Sequence, residues 1–117
     1  MQPEELARSI QTLESTAAEG SLLAQDVAGD RTKATFVRVH SRDLSDVVDH
    51  ESEKLNDAEA SDSEVGAAKT DAIDLADRIG TALGQLQVAP DSEPDGAKAA
   101  KALDRLSKDA GDLADKL

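Results

Sequence analysis

Apolar residues recur along the chain at alternating steps of three and four, the spacing that lines one face of an α-helix. Leu6, Ile10, Leu13, Ala17, Gly20, Ala24 and Val27 form the first such row. Val37, His40, Leu44, Val47, Glu51, Leu55 and Ala58 keep the same rhythm with two polar intrusions, His40 and Glu51. A third row runs through Val65, Ala68, Ala72, Leu75, Ile79, Leu83 and Leu86, and a fourth through Ala99, Leu103, Leu106, Ala110, Leu113 and Leu117. No stretch alternates with period two, so strands are not expected.

Helix-ending and helix-starting residues divide the chain at the same places. Pro3 followed by Glu4 and Glu5 suits a first turn, with fixed φ and acids at the positive end of the dipole. Gly29 and Asp30 close the first segment, with Asp30 or Thr32 opening the second. Ser61 and Glu64 have the spacing of a capping box for the third. Pro90 ends it, and Asp91 to Gly96, with Pro94, forms the longest connection. The pattern predicts helices over 3–28, 32–59, 63–88 and 95–116. Links this short make consecutive helices antiparallel neighbours, so the expected fold is all-α, one up-down-up-down four-helix bundle over residues 1–117.

Composition narrows what such a bundle can be. Leu, Ile, Val and Phe supply only 24 of 117 residues, near the level at which chains stop folding, but 20 alanines compensate. Alanine has the best helix propensity and lets helices approach closely. The 25 acids against 13 Lys and Arg give a formal net charge of −12. With no Tyr or Trp and Phe36 the one aromatic ring, the chain lacks the cationic surface and stacking platform that nucleic acid or an anionic membrane requires. No uncharged run approaches the roughly 18 residues of a membrane span. Met1-Gln2-Pro3-Glu4-Glu5 lacks the basic and apolar regions of a signal peptide, so the expectation is a cytoplasmic protein or an exported domain read without its leader.

Catalytic inventory is sparse. There is no Cys, hence no disulfide, thiolate metal site or Cys nucleophile, and the serines lack a GxSxG elbow. His40 and His50, ten residues apart, stand roughly 15 Å apart along a helix and cannot share one metal ion. Val37 and Val47 stand three residues before the two histidines, so the Glu-x-x-His pairs of di-iron bundles are missing. Asp46, His50 and Glu53 share a face that reads as solvated helix surface. No catalytic, cofactor or metal residue is assigned, and the chain reads as a non-enzyme. Glu51 is expected to be bypassed by a small rotation that brings Val48 inward. Gly80 and Gly84, four apart, are expected to bring helix three close to a neighbour.

Antiparallel topology gathers the unusual stretches at the end that holds the first and third links. Ile79 to Pro90 is twelve residues without a charge in a chain that is 32% charged. Arg31, Lys33, Arg38 and Arg42, with His40, fall in a stretch without an acid. Cations near a helix N-terminus oppose its dipole, so pairing with Asp26, Asp30, Asp91, Glu93 or Asp95 is expected. Gly20, Gly80 and Gly84 at the height of Phe36 suggest a socket for its ring, in which case Phe36→Ala would cost about 3–5 kcal/mol. The candidate binding end comprises Phe36, Arg38, His40, Arg42, Leu83 and Leu86. The expected function is an interaction domain that binds a protein partner or itself through the uncharged end of helix three. The alternative is a small-ligand or ion-binding bundle using His40, Arg38 and Arg42.

The acidic excess has a measurable consequence. Raising sodium chloride to about 0.1 M, where the Debye length is about 10 Å, screens self-repulsion and should raise the melting temperature. A melting temperature that falls over that range would show favourable ion pairs outweighing the repulsion.

Overall fold

The computed structural model describes residues 1–117 and contains four helices and no strand: α1 (Pro3–Ala28), α2 (Ala34–Asp57), α3 (Ser63–Val88) and α4 (Glu93–Asp115). The chain is an antiparallel four-helix bundle, as the pattern predicts. Cross-helix pairs fix the directions: Glu19 with His40 between α1 and α2, Ser45 with Gln87 between α2 and α3, and Ser21 with Ala100 between α1 and α4. The tightest pairs are α1 with α4 and α2 with α3; α1 also meets α3 across the bundle, while α2 and α4 do not touch. The cross-section is therefore a rhombus with α2 and α4 at its far corners, within Cα extents of 46 × 22 × 16 Å.

Small residues hold α1 and α4 together. Ala17, Gly20, Ser21 and Ala24 of α1 and Gly96, Ala99, Ala100 and Ala110 of α4 are all buried. The helices come close enough that Ser21 Oγ donates to the Ala100 carbonyl at 3.0 Å and Ser107 Oγ to the Glu14 carbonyl at 3.0 Å. These two bonds are seven residues apart on each helix, one heptad, as a continuous antiparallel seam requires. At its end, a Cβ on Gly96 would lie 2.9 Å from the Ala28 backbone nitrogen and 2.8 Å from Val27 Cγ1. Only glycine fits there.

Around this seam, one cluster of 26 buried apolar residues draws on all four helices. All seven positions read for α1 and all seven read for α3 are in it or, for Gly20, buried beside it. Helix α2 is rotated from the expected seam. Ser41 and Val48 turn inward, Val47 is 40% exposed and His40 is half-buried, giving Val37, Ser41, Leu44, Val48, Glu51 and Leu55 as the buried row. Ser41 tolerates burial because its hydroxyl donates to the Val37 carbonyl at 2.6 Å, four residues back. In α4 the row gains Gly96 and Ala100, and Leu117 falls beyond the helix, 39% exposed.

The links differ from expectation in their chemistry. Asp62, not Ser61, caps α3, accepting from the Val65 N–H at 2.9 Å. Neither Asp30 nor Thr32 caps α2; Lys33 stands at the N-cap without a side-chain bond, and the left-handed turn residue is Asp30, with φ 53°, rather than Gly29. Pro94 lies inside the first turn of α4, whose cap is Ser92. At the opposite end, the Met1 amino group donates to the Glu59 carbonyl and Lys69 to the Ala58 carbonyl, tying the α2–α3 link down.

The glycine pair on α3 plays a different part from the one expected. A Cβ on Gly84 would meet nothing within 4 Å, and one on Gly80 would make ordinary contact with Val48 at 3.8 Å. The close approach belongs to α1 and α4. Two substitutions separate these cases in denaturant melts. Gly84→Ala should stabilise by about 0.5–1 kcal/mol, the gain of replacing an interior helical glycine in open space. Gly96→Ala should destabilise by about 1–3 kcal/mol despite the same propensity gain, because the backbone of α1 must move.

Candidate functional site

Phe36 is 54% exposed and fills no socket. It precedes the first seam residue of α2, Val37, by one position, which turns it about 100° away from the core. The space left by Gly20 is occupied instead by Leu83 and Leu103, whose methyl carbons would lie 2.9 and 3.1 Å from a Cβ there. The Phe36 ring packs edge-on against His40 one turn later, with centroids 5.3 Å apart.

The six candidate residues do not form one group. Leu83 and Leu86 are completely buried in the core and offer nothing to a partner. His40 turns toward α1, its Nε2 3.8 Å from Glu19 Oε2, and its buried Nδ1 has no hydrogen-bond partner. Arg38 and Arg42 turn the other way, lining a groove with Thr35, Val39 and Gln87 of the α2–α3 flank. The His40, Arg38 and Arg42 cluster required by a small-ligand site is therefore split across two sides of α2.

The expected acids do not neutralise the cations of this end, with one exception. Arg31 Nε donates to Asp26 at 3.3 Å and Nη2 to the Gln25 carbonyl at 3.3 Å, so it completes the C-terminus of α1, where a cation complements the dipole. Lys33, Arg38 and Arg42 belong to none of the five ion pairs of the molecule, and neither do Asp91, Glu93 and Asp95. Two sets of opposite charge thus stand at one end of the bundle without meeting.

The uncharged segment divides between core and surface. Its leucines serve the core. Its outward strip is Thr81, Gly84, Gln85 and Val88, with Val88 88% exposed. The burial period was the available signal: Ile79, Leu83 and Leu86 continue the seam, so their neighbours must face out. On one side of this strip a groove of about 400 Å³ includes Ser45, Asp49, Gly80 and Gly84; on the other, a groove of about 410 Å³ includes Gln85, Ala102 and Arg105.

Glu51 is the polar residue that the rotation of α2 fails to release. Its side chain is 8% exposed, with the Lys54 ammonium 3.3 Å from Oε2, yet Oε2 receives no hydrogen bond. It lines none of five surface grooves of about 340 to 500 Å³, and none of them aims it at a ligand. No three His, Asp or Glu side chains gather as metal ligands, and Asp46, His50 and Glu53 do not come together. No helix is long and apolar enough to cross a membrane.

Thermal and denaturant melts can test these placements together. Phe36→Ala should change stability by no more than about 0.5 kcal/mol, as exposed positions do. Glu51→Leu should stabilise by about 1 kcal/mol or more, since a buried, incompletely bonded carboxylate gives way to a residue that suits the seam. A loss of several kcal/mol in Phe36→Ala would restore the buried-ring reading.

No protein-family model, curated protein or solved structure matches this chain.

Proposed function

We propose that this bundle is an interaction module and that the outward strip at the uncharged end of α3 is its contact surface. The observation that carries the reading is Val88, 88% exposed beside Gly84, whose missing side chain leaves open space. In a chain that is 32% charged, twelve consecutive uncharged residues are more than the core needs, because three of them, Thr81, Gln85 and Val88, are exposed. Exposed apolar side chains ringed by polar groups mark contact surfaces. Four of the six large apolar residues left exposed, Leu22, Phe36, Val39 and Val88, belong to this end of the bundle. The unpaired Arg38 and Arg42 on its α2 flank supply charge for orienting a partner.

A photo-crosslinking residue tests the assignment. Placed at Gln85, it should yield a discrete adduct that excess unlabelled protein suppresses and excess Val88→Asp protein does not. The same probe at Glu64, exposed at the other end, should yield none. Equal labelling from both positions, or no adduct from Gln85, overturns the reading.

A further inference from the structure

We infer that the partner at this surface is a second copy of the same chain, joined about a two-fold axis that runs along α3. The inference rests on the reading of α3 as a contact surface and adds the identity and geometry of the partner. Its basis is the order of unpaired charge on the two flanks of the strip.

On the α2 flank, Arg38 lies beside the end of α3, in the groove with Gln87, and Asp49 lies deeper, beside Gly80 and Gly84. On the α4 flank the order is reversed. Asp95 lies beside Val88, and Arg105 lies deeper, beside Thr81 and Gln85. None of these four residues takes part in an ion pair within the chain, although Arg78 pairs with Asp74 one turn away on α3 and Lys108 with Asp104 one turn away on α4. A face with cation then acid on its left, and acid then cation on its right, is complementary to itself. A two-fold rotation about an axis lying in the interface along α3 places the α2 flank of one copy over the α4 flank of the other at equal height. Arg38 then meets Asp95 of the second copy, Asp49 meets its Arg105, and each contact occurs twice, as an isologous interface demands.

The strip between the flanks suits that axis. Gly84 allows the two α3 helices to approach, and Val88 of each copy becomes covered. Two like-signed approaches oppose the arrangement. Arg42 comes level with Lys98, each one turn from the Arg38 and Asp95 pair and long enough to swing aside. Asp77 faces its own copy unless the helices diverge from their crossing at Gly84, from which it is two turns away. In the rhombic section α3 stands as the ridge between the α2 and α4 flanks, on a side within Cα extents of 46 × 22 Å, room for the roughly 800 Å² per partner of a standard interface. The alternative occupant, an acidic segment of another protein, would satisfy Arg38 and Arg42 but leave Asp49 and Asp95 unanswered.

Sedimentation equilibrium at physiological salt, across micromolar to millimolar protein, tests the inference. The wild-type chain should show a concentration-dependent mass of two chains. Arg38→Glu and Asp95→Arg should each weaken the dimer roughly tenfold or more, and the double variant, which exchanges the charges, should recover most of that loss. Gly84→Leu, whose side chain enters open space in the single chain, should keep the helical signal and abolish the dimer. A monomer at every concentration overturns the inference, as does a dimer indifferent to these changes or a double variant without recovery. The two proposals fail differently. A monomer that still forms a competed Gln85 adduct with another protein overturns self-association alone, whereas absence of any adduct overturns the contact surface itself.

Discussion

Close contact between α1 and α4 is the constraint on which the rest of the bundle depends. A chain with so few large apolar residues cannot fill a wide core, so its helices must approach until backbone and small side chains supply the contact area. The hydroxyls of Ser21 and Ser107 reach the carbonyls of Ala100 and Glu14 across that seam, which is feasible because alanine and glycine occupy the positions between them. Gly96 marks the limit, with the backbone of α1 where its side chain would be. With α1 and α4 drawn together, the larger residues Leu83, Leu86 and Leu103 close the centre from the α3 and α4 sides. Helix α2 completes the bundle from a far corner, held by α3 and more loosely by α1.

That looser hold explains where sequence reading succeeds and where it fails. Helices α1 and α3 carry an apolar residue or glycine at every third and fourth position, and their seams were legible residue by residue. Helix α2 offers two nearly equivalent rows, one through His40 and Val47 and one through Ser41 and Val48. Periodicity treats a valine in either row alike. Burial of the second row is permitted by a hydrogen bond invisible to hydropathy, the return of the Ser41 hydroxyl to the Val37 carbonyl, which satisfies the serine inside. Glu51 belongs to both rows and remains inside with one oxygen unbonded.

At the candidate end, the region stood out in the sequence but the side chains that stay exposed there did not. Absence of charge from Ile79 to Pro90 singles out that end of the molecule. Large side chains drew the assignment toward Leu83 and Leu86, yet size at seam positions is the property that buries them. A glycine and a valine, small and unremarkable in sequence, are what α3 leaves on the outside. Phe36 misled for a related reason. A lone aromatic in a chain short of apolar bulk invites a buried role, but one residue of displacement from the seam outweighs hydrophobicity, because helix geometry sets which way the ring faces.

Charge placement on the far side of this chain carries the same lesson in another form. An acidic excess of twelve makes nearly any cation able to find an acid nearby, and Arg31, Lys54, Arg78 and Lys108 do so within six residues along the chain. Arg38 and Arg105 do not, despite acids five residues away at Asp43 and four away at Asp109. Local pairs of this kind contribute only a few tenths of a kcal/mol each and do not constrain the fold. Fold stability therefore places little demand on where these arginines lie. Their position on opposite flanks of the one uncharged strip, each level with an unpaired acid of the other flank, is what the proposed contact outside the chain would explain, since steering by charge sets orientation.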